Sequence, residues 1–541
     1  MGDSLRDPSH EQILELLRTL ENRIARIESR LELESPKVPE PKSAPAIAAE
    51  DDEELELELG QNWFAKTGIV GLTLGIAFLL TLPYASLPSF LPSLLGYVLV
   101  GGIFFLSHYW KESFQQVSRY LLGGGLLLLY FITLRLFYFT PSPALTNKGI
   151  ELALLLLVVS GNLVVAFRRQ SIFLAGFSLT LGFLTALIGG QPLFVLVVLV
   201  LLASTISYLV WRFRSNALLA SGAILTYVTH FLWSANNPFF SNELQFGLAP
   251  EIHLGFILIY AALFAAPITL RKDRTQENAG VILNSALNAF IGFGIFSLST
   301  LASPDIHVVV WQSGASVLFL GLAIIFWMRE KSVYSTFVYA MIGYAALSAA
   351  IVAQFPMPEF FVWLCWQSLL VVSTAVWFRS RFIVVANFVI YLIIFIAFLS
   401  SAKTVTSVSV SFGIVALLSA RVLNWQRDKL ALRTELMRNA YLASALLFLP
   451  YALYNSVPPQ VVSVSWLILA ALYYSASRIL KSRKYRWMAL LTMSLTILYV
   501  FIVDLTTVDP VVRIVSFLAV GSALLGISMI YSRKKKATTG A

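Results

Sequence analysis

The chain is 541 residues long, 58% hydrophobic and only 13% charged, with a mean hydropathy of +0.77. A soluble protein needs far more polar surface to cover its exterior, so this composition excludes a string of soluble domains and requires a polytopic membrane protein. Residues 1–62 carry 7 Lys/Arg against 16 Asp/Glu and the rest 32 against 13, so the basic balance belongs to membrane loops and excludes a nucleic-acid surface.

In residues 1–34, Ile13, Leu17, Leu20, Ile24, Ile27 and Leu31 step by 4, 3, 4, 3, 4. That spacing predicts a cytosolic helix with a coiled-coil seam, a route to a homo-oligomer through residues 13–31. An amphipathic helix lying on a surface has the same pattern. Residues 35–62 read as a linker, first Pro-rich (Pro36, Pro39, Pro41, Pro45) and then acidic over 50–58. No apolar run precedes residue 64, so the first spanning helix is expected to act as the targeting signal.

Residues 63–532 read as a multi-pass domain of about 18 spans. The limits are 64–82, 90–110, 120–139, 149–167, 171–189, 192–211, 216–234, 250–270, 281–301, 306–328, 333–354, 359–378, 382–400, 404–423, 437–454, 459–477, 486–503 and 511–531. Residues 533–541 form a basic tail. Every second loop is basic, and these nine sites hold 27 Lys/Arg, whereas the nine alternate loops hold four. The positive-inside rule then places both termini and all the basic loops in the cytoplasm. The fold class expected is all-α, a transmembrane helical bundle. Beneath the hairpin rhythm the sequence offers no evident repeat.

A charged residue inside a bilayer is costly unless it has a partner or water, so such residues are functional candidates. Those present lie at the external ends of the spans: Arg135, Glu151, His230, Glu251, His253, His307, Asp504 and Arg513. Lys148 and Glu151, three residues apart, are placed to pair across one helical turn. Asp504 and Arg513 flank the closing five-residue turn and are expected to pair. The three histidines lack ligand spacing such as i,i+4, and the single Cys365 lies in an apolar run, so neither a metal site nor any cofactor is expected. The midplane holds only amides and hydroxyls, including Asn162, Asn284, Asn288, Gln312, Gln367 and Asn387, expected to form interhelical hydrogen bonds. Gly68, Gly71 and Gly75, and the run Gly123, Gly124, Gly125, read as close helix packing rather than as a phosphate loop, because no strand or Lys-Ser/Thr flanks them.

Three stretches resemble the DUF2339 family of predicted bacterial membrane proteins. They are Leu59-Gly60-Gln61-Asn62-Trp63 with Gly68 and Gly75, then Leu122-Gly123-Gly124-Gly125 with Tyr130, and Asp504-Leu505 with Arg513-Ile514-Val515-Ser516-Phe517 and Gly521. The chain departs from the family pattern at Tyr499, where a Lys is frequent, and around Ser86-Leu87-Pro88. The resemblance implies an inner-membrane location and supplies no activity. Three functions remain open: a non-enzymatic envelope scaffold or accessory subunit with the bilayer and envelope proteins as partners, a transporter or lipid flippase, and a membrane glycosyltransferase or polymerase. The first fits best, since no embedded carboxylate is placed to couple ions and the first external loop, 83–89, carries no acidic residue.

Overall fold

The computed structural model describes residues 64–81, 90–139, 143–235, 250–270, 278–302, 307–329, 332–401, 406–425 and 434–504, with a few isolated positions. Of these residues, 89% are helical and none is in a strand. The coiled-coil segment 13–31 (apart from Thr19), the linker, the last span 511–531 and the tail lie outside the described residues.

The helices divide into two compact units, Met1–Lys148 and Gly149–Ala541. The first contains α1 (Phe64–Thr81), α2 (Leu91–Tyr109) and α3 (Gln115–Arg135). The second contains α4 (Lys148–Arg168), α5 (Ile172–Gly189), α6 (Pro192–Phe213), α7 (Asn216–Ser234), α8 (Pro250–Thr269), α9 (Ala279–Ala302), α10 (Val308–Arg329), α11 (Val333–Gln354), α12 (Phe360–Trp377), α13 (Arg381–Ser400), α14 (Thr406–Trp425), α15 (Thr434–Ser456), α16 (Val462–Ile479) and α17 (Arg483–Tyr499). Sixteen helices, α2 to α17, are long and apolar enough to cross a membrane, and each falls on one of the spans read between 90 and 503. The first expected span, 64–82, coincides with α1, of which Thr67–Thr81 is a shorter apolar helix.

Most of the described basic-side turns use a serine in one construction, the α2–α3 turn, which enters its helix at an uncapped Phe114, being different. Two residues past the end of α4 stands Gln170, and two past the end of α12 stands Arg379, both left-handed (φ 50° and 51°). The next residue is a serine whose backbone N–H returns to the previous helix: Ser171 to the Ala166 carbonyl at 3.1 Å, Ser380 to Ala375 at 3.0 Å. This is the Schellman closure, which satisfies carbonyls that a helix end leaves unpaired. The same serine then starts the next helix, its hydroxyl oxygen accepting the N–H of Leu174 or Ile383. Ser215 and Ser332 cap α7 and α11 in the same way, and the N–H of Ser482 after left-handed Lys481 closes α16 on Ser477. One left-handed residue and one serine therefore reverse the chain, which keeps these hairpins tight and their helices antiparallel.

In the first unit, α1 and α2 both pack on α3 around Leu80, Val100, Ile103, Leu121, Leu128 and Ile132. Glycine permits the approach. A methyl group on Gly124 would lie 2.9 Å from Ile69 and Thr73 of α1, and one on Gly125 would lie 2.7 Å from Phe104 of α2. Gly68, Gly71 and Gly75 instead lie on an exposed face of α1, where an added Cβ meets nothing within 4 Å. Ser107 and Ser118 tie α2 to α3 reciprocally, each hydroxyl donating to the other's carbonyl at 2.8 and 2.6 Å.

In the second unit, α10 packs along α11 and α14 along α15. Tyr227, Tyr260, Tyr339, Tyr391 and Tyr441 are fully buried among phenylalanines. The outward surface carries Phe173, Leu301, Val317 and Ile479, large apolar side chains suited to lipid.

Candidate functional site

A polar buried region lies in the second unit, where α7, α8, α9 and α11 meet. On α7, Tyr227, His230 and Trp233 recur every three residues and so share one face. On α8, His253 and Tyr260 lie on the stripe buried with Leu254, Ile257, Ala261 and Phe264. The two histidine rings stand 5.6 Å apart, edge to face. Trp233 stacks on His253 at 4.9 Å, and its indole N–H donates to the Gly190 carbonyl at 3.3 Å, which holds the stack against the turn after α5. The Tyr260 ring is 5.8 Å from His230.

His230 is wholly buried, yet among the described residues neither of its ring nitrogens has a hydrogen-bond partner, and the same holds for the Tyr260 hydroxyl. Burying a polar group without a partner costs roughly 1–3 kcal/mol, which marks these groups for explanation. Together they form an enclosed polar patch, at the end of α7 remote from the basic turns, offering donors and acceptors to a small polar species.

Deeper along the same helices the polar groups are satisfied. The Tyr227 hydroxyl donates to Asn288 Oδ1 at 2.8 Å, and Asn288 Nδ2 donates to the Ala261 carbonyl and to the Tyr339 hydroxyl, both at 2.9 Å. One amide thus joins four helices. Gly292 makes room for it, because a Cβ there would lie 2.7 Å from the Tyr227 oxygen. Nearer the basic side, Asn284 donates to the Asn216 carbonyl at 3.1 Å.

A second amide repeats the pattern four helices on. Asn387 of α13 donates to the Ser368 hydroxyl on α12 at 2.8 Å and to the Tyr441 hydroxyl on α15 at 3.0 Å. Gln367 donates to the Tyr344 carbonyl on α11 at 2.8 Å and accepts from Ser348 at 3.1 Å. Gln312 reaches Thr300 at 3.2 Å. Asn162 is buried on α4, and its Nδ2 has no partner among the described residues.

The remaining candidates stay apart. Arg135 is buried in the first unit and donates to the Ser93 hydroxyl at 3.1 Å. Glu151 is fully buried on the stripe of α4 that holds Leu155, Val159 and Asn162, and its oxygens have no partner among the described residues. The expected Lys148–Glu151 pair is therefore not formed: Lys148 faces outward while the carboxylate turns inward. His307 precedes α10 and is exposed, its carbonyl accepting the N–H groups of Val310 and Trp311 at 3.0 and 3.2 Å. The side chains of Glu251 and Asp504, and Arg513 altogether, lie outside the described residues, and with them the expected Asp504–Arg513 pair. Among the described residues no group of three His, Cys, Asp or Glu is placed to hold a metal ion.

The His230–His253 approach is invisible to a search for i,i+4 ligands because it forms between two helices. The usable signal was the three-residue rhythm of Tyr227, His230 and Trp233, which puts an aromatic–imidazole face on one helix.

An array of long apolar helices joined by tight basic turns defines a multi-pass helical membrane protein. Residues 452–534 match the family model described as predicted membrane protein, DUF2339, the family whose motifs the sequence resembles. No curated protein and no solved structure matches the chain.

Proposed function

We propose that the protein is a non-enzymatic scaffold or accessory subunit of the bacterial inner membrane, with both termini in the cytoplasm, that self-associates through residues 13–31. The observation that carries this reading is the use of the interior amides. Asn288 and Asn387 each bind three or four helices together, and Gln367 ties α12 to α11. Amides engaged in this way hold a helix array rigid and are not available to a passing solute. The basic loops support the orientation, and the heptad spacing supports the self-association.

One observation favours a second reading, a transporter or lipid flippase. His230, Tyr260 and Glu151 are buried polar groups without partners among the described residues, as expected where a solute is received. Reconstitution into liposomes separates the two. For a scaffold, the movement of fluorescent phospholipid between leaflets stays at the rate of protein-free vesicles. Accelerated movement that His230→Phe abolishes would replace the scaffold reading with the transporter one.

A further inference from the structure

We propose that a cleft on the basic side of the second unit seats one anionic phospholipid from the adjoining leaflet. The cleft, about 510 Å³, opens where α10, α12 and α14 end, and Trp327, Trp377, Trp425, Ser373 and Arg379 line it. That volume falls within the range of roughly 300–1,000 Å³ typical of small-ligand sites. No carboxylate is among its described lining residues.

The three helices finish at the cleft and basic loops follow, so it lies at the boundary between hydrocarbon and water, where tryptophan is favoured because its ring is apolar and its N–H is wet. Trp425 is 75% exposed and Trp377 52%, so both rings are open to an occupant. Buried Phe378 sets their floor, its ring 6.2 Å from Trp327 and 5.2 Å from Trp377.

Arg379 is fixed by its backbone: it occupies the left-handed position of the Schellman turn, its N–H on the Val376 carbonyl at 3.2 Å. Its guanidinium is exposed at the start of α13, whose positive end adds to the attraction for an anion. Arg381, the other basic residue of this turn, is stacked on Phe382 at 5.0 Å. A planar guanidinium beside apolar aromatic walls matches an amphiphile with a phosphate at one end and hydrocarbon at the other. A free phosphate would leave the tryptophan wall without use.

The test is tryptophan quenching by brominated lipid in the full-length protein. Phosphatidylglycerol with brominated chains, as a minority lipid in phosphatidylcholine bilayers, should quench more than the same fraction of brominated phosphatidylcholine. The excess should fall several-fold in Arg379→Asn, which keeps the left-handed backbone, and be partly retained in Arg379→Lys, since Lys481 shows that lysine adopts this turn. It should be unchanged in Arg168→Asn, outside the cleft. Removing the quenchable rings with Trp377→Phe and Trp425→Phe should also shrink it. Equal quenching by the two lipids, or an excess unaltered in Arg379→Asn, overturns the proposal. So does loss of the excess on adding inorganic phosphate at constant ionic strength, because the site would then take the free anion.

Discussion

Asn288 shows what one side chain does in this membrane. It accepts from Tyr227 and donates to Ala261 and Tyr339, so its removal breaks three hydrogen bonds to buried groups. Hydrogen bonds between membrane helices average about 0.6 kcal/mol and reach about 1.7. Asn288→Ala should therefore destabilise the detergent-solubilised protein by about 2 kcal/mol, read from denaturant unfolding, and Tyr339→Phe by less. The double variant should lose less than the sum of the two, because each substitution removes the same bond. Strict additivity would mean that the Asn288–Tyr339 bond contributes nothing. Glycines divide more sharply. Gly124→Leu must force α1 away from α3, since even a methyl group there lies 2.9 Å from Ile69 and Thr73. Gly71→Leu projects from the exposed face of α1 and meets no protein atom within 4 Å of its Cβ, so the thermal unfolding midpoint of the monomer should fall for the first and hold for the second. The sequence ranks these glycines alike, because it does not say which face of α1 looks toward α3.

At the scale of elements, the helices were legible and their ties were not. Hydropathy and the alternation of basic loops report independently on each span, which is why α2 to α17 fall where the sequence places them. The turns are also written locally, in a serine after a residue forced left-handed. Gln170 has φ of 50°, a conformation that is strained for β-branched residues and favourable for glycine. Gln170→Gly should hold or raise the unfolding midpoint, and Gln170→Val should lower stability by about 1–2 kcal/mol; equal midpoints would show that the turn relaxes. The cross-ties depend on residues far apart in the chain. Tyr227, Tyr339 and Tyr441 lie on α7, α11 and α15, each a helix after one that ends near a tryptophan, Trp211, Trp327 or Trp425. This recurrence every four helices is hidden in the sequence, because the positions between are filled by interchangeable apolar residues and the loops differ in length.

The whole molecule is organised by charge. Basic residues crowd one end of every hairpin, and the acidic run 50–58 enters the membrane domain from the side that holds both termini in the proposed orientation. Reporter fusions after Lys536 and within 424–436 should then report the cytoplasm, and fusions within 238–246 the opposite side. A cytoplasmic signal from 238–246 would break the assignment. The N-terminal segment makes a separate demand. In the proposed coiled coil its three heptads are barely long enough to be stable alone, so that proposal needs two or more copies held near one another by their membrane domains. Tethering raises the local concentration of the heptads, which favours a coil too weak to form between free peptides. Deleting residues 1–34 should leave insertion intact, because α1 and its flanking charges remain, while the oligomer that the proposal expects chemical crosslinking to trap in native membranes should fall to monomer. Replacing Leu17 and Ile24 with Asp should act as the deletion does, since it charges the seam and leaves the polar face unchanged. An oligomer that survives both changes would assign this helix to the membrane surface and self-association to the membrane domain.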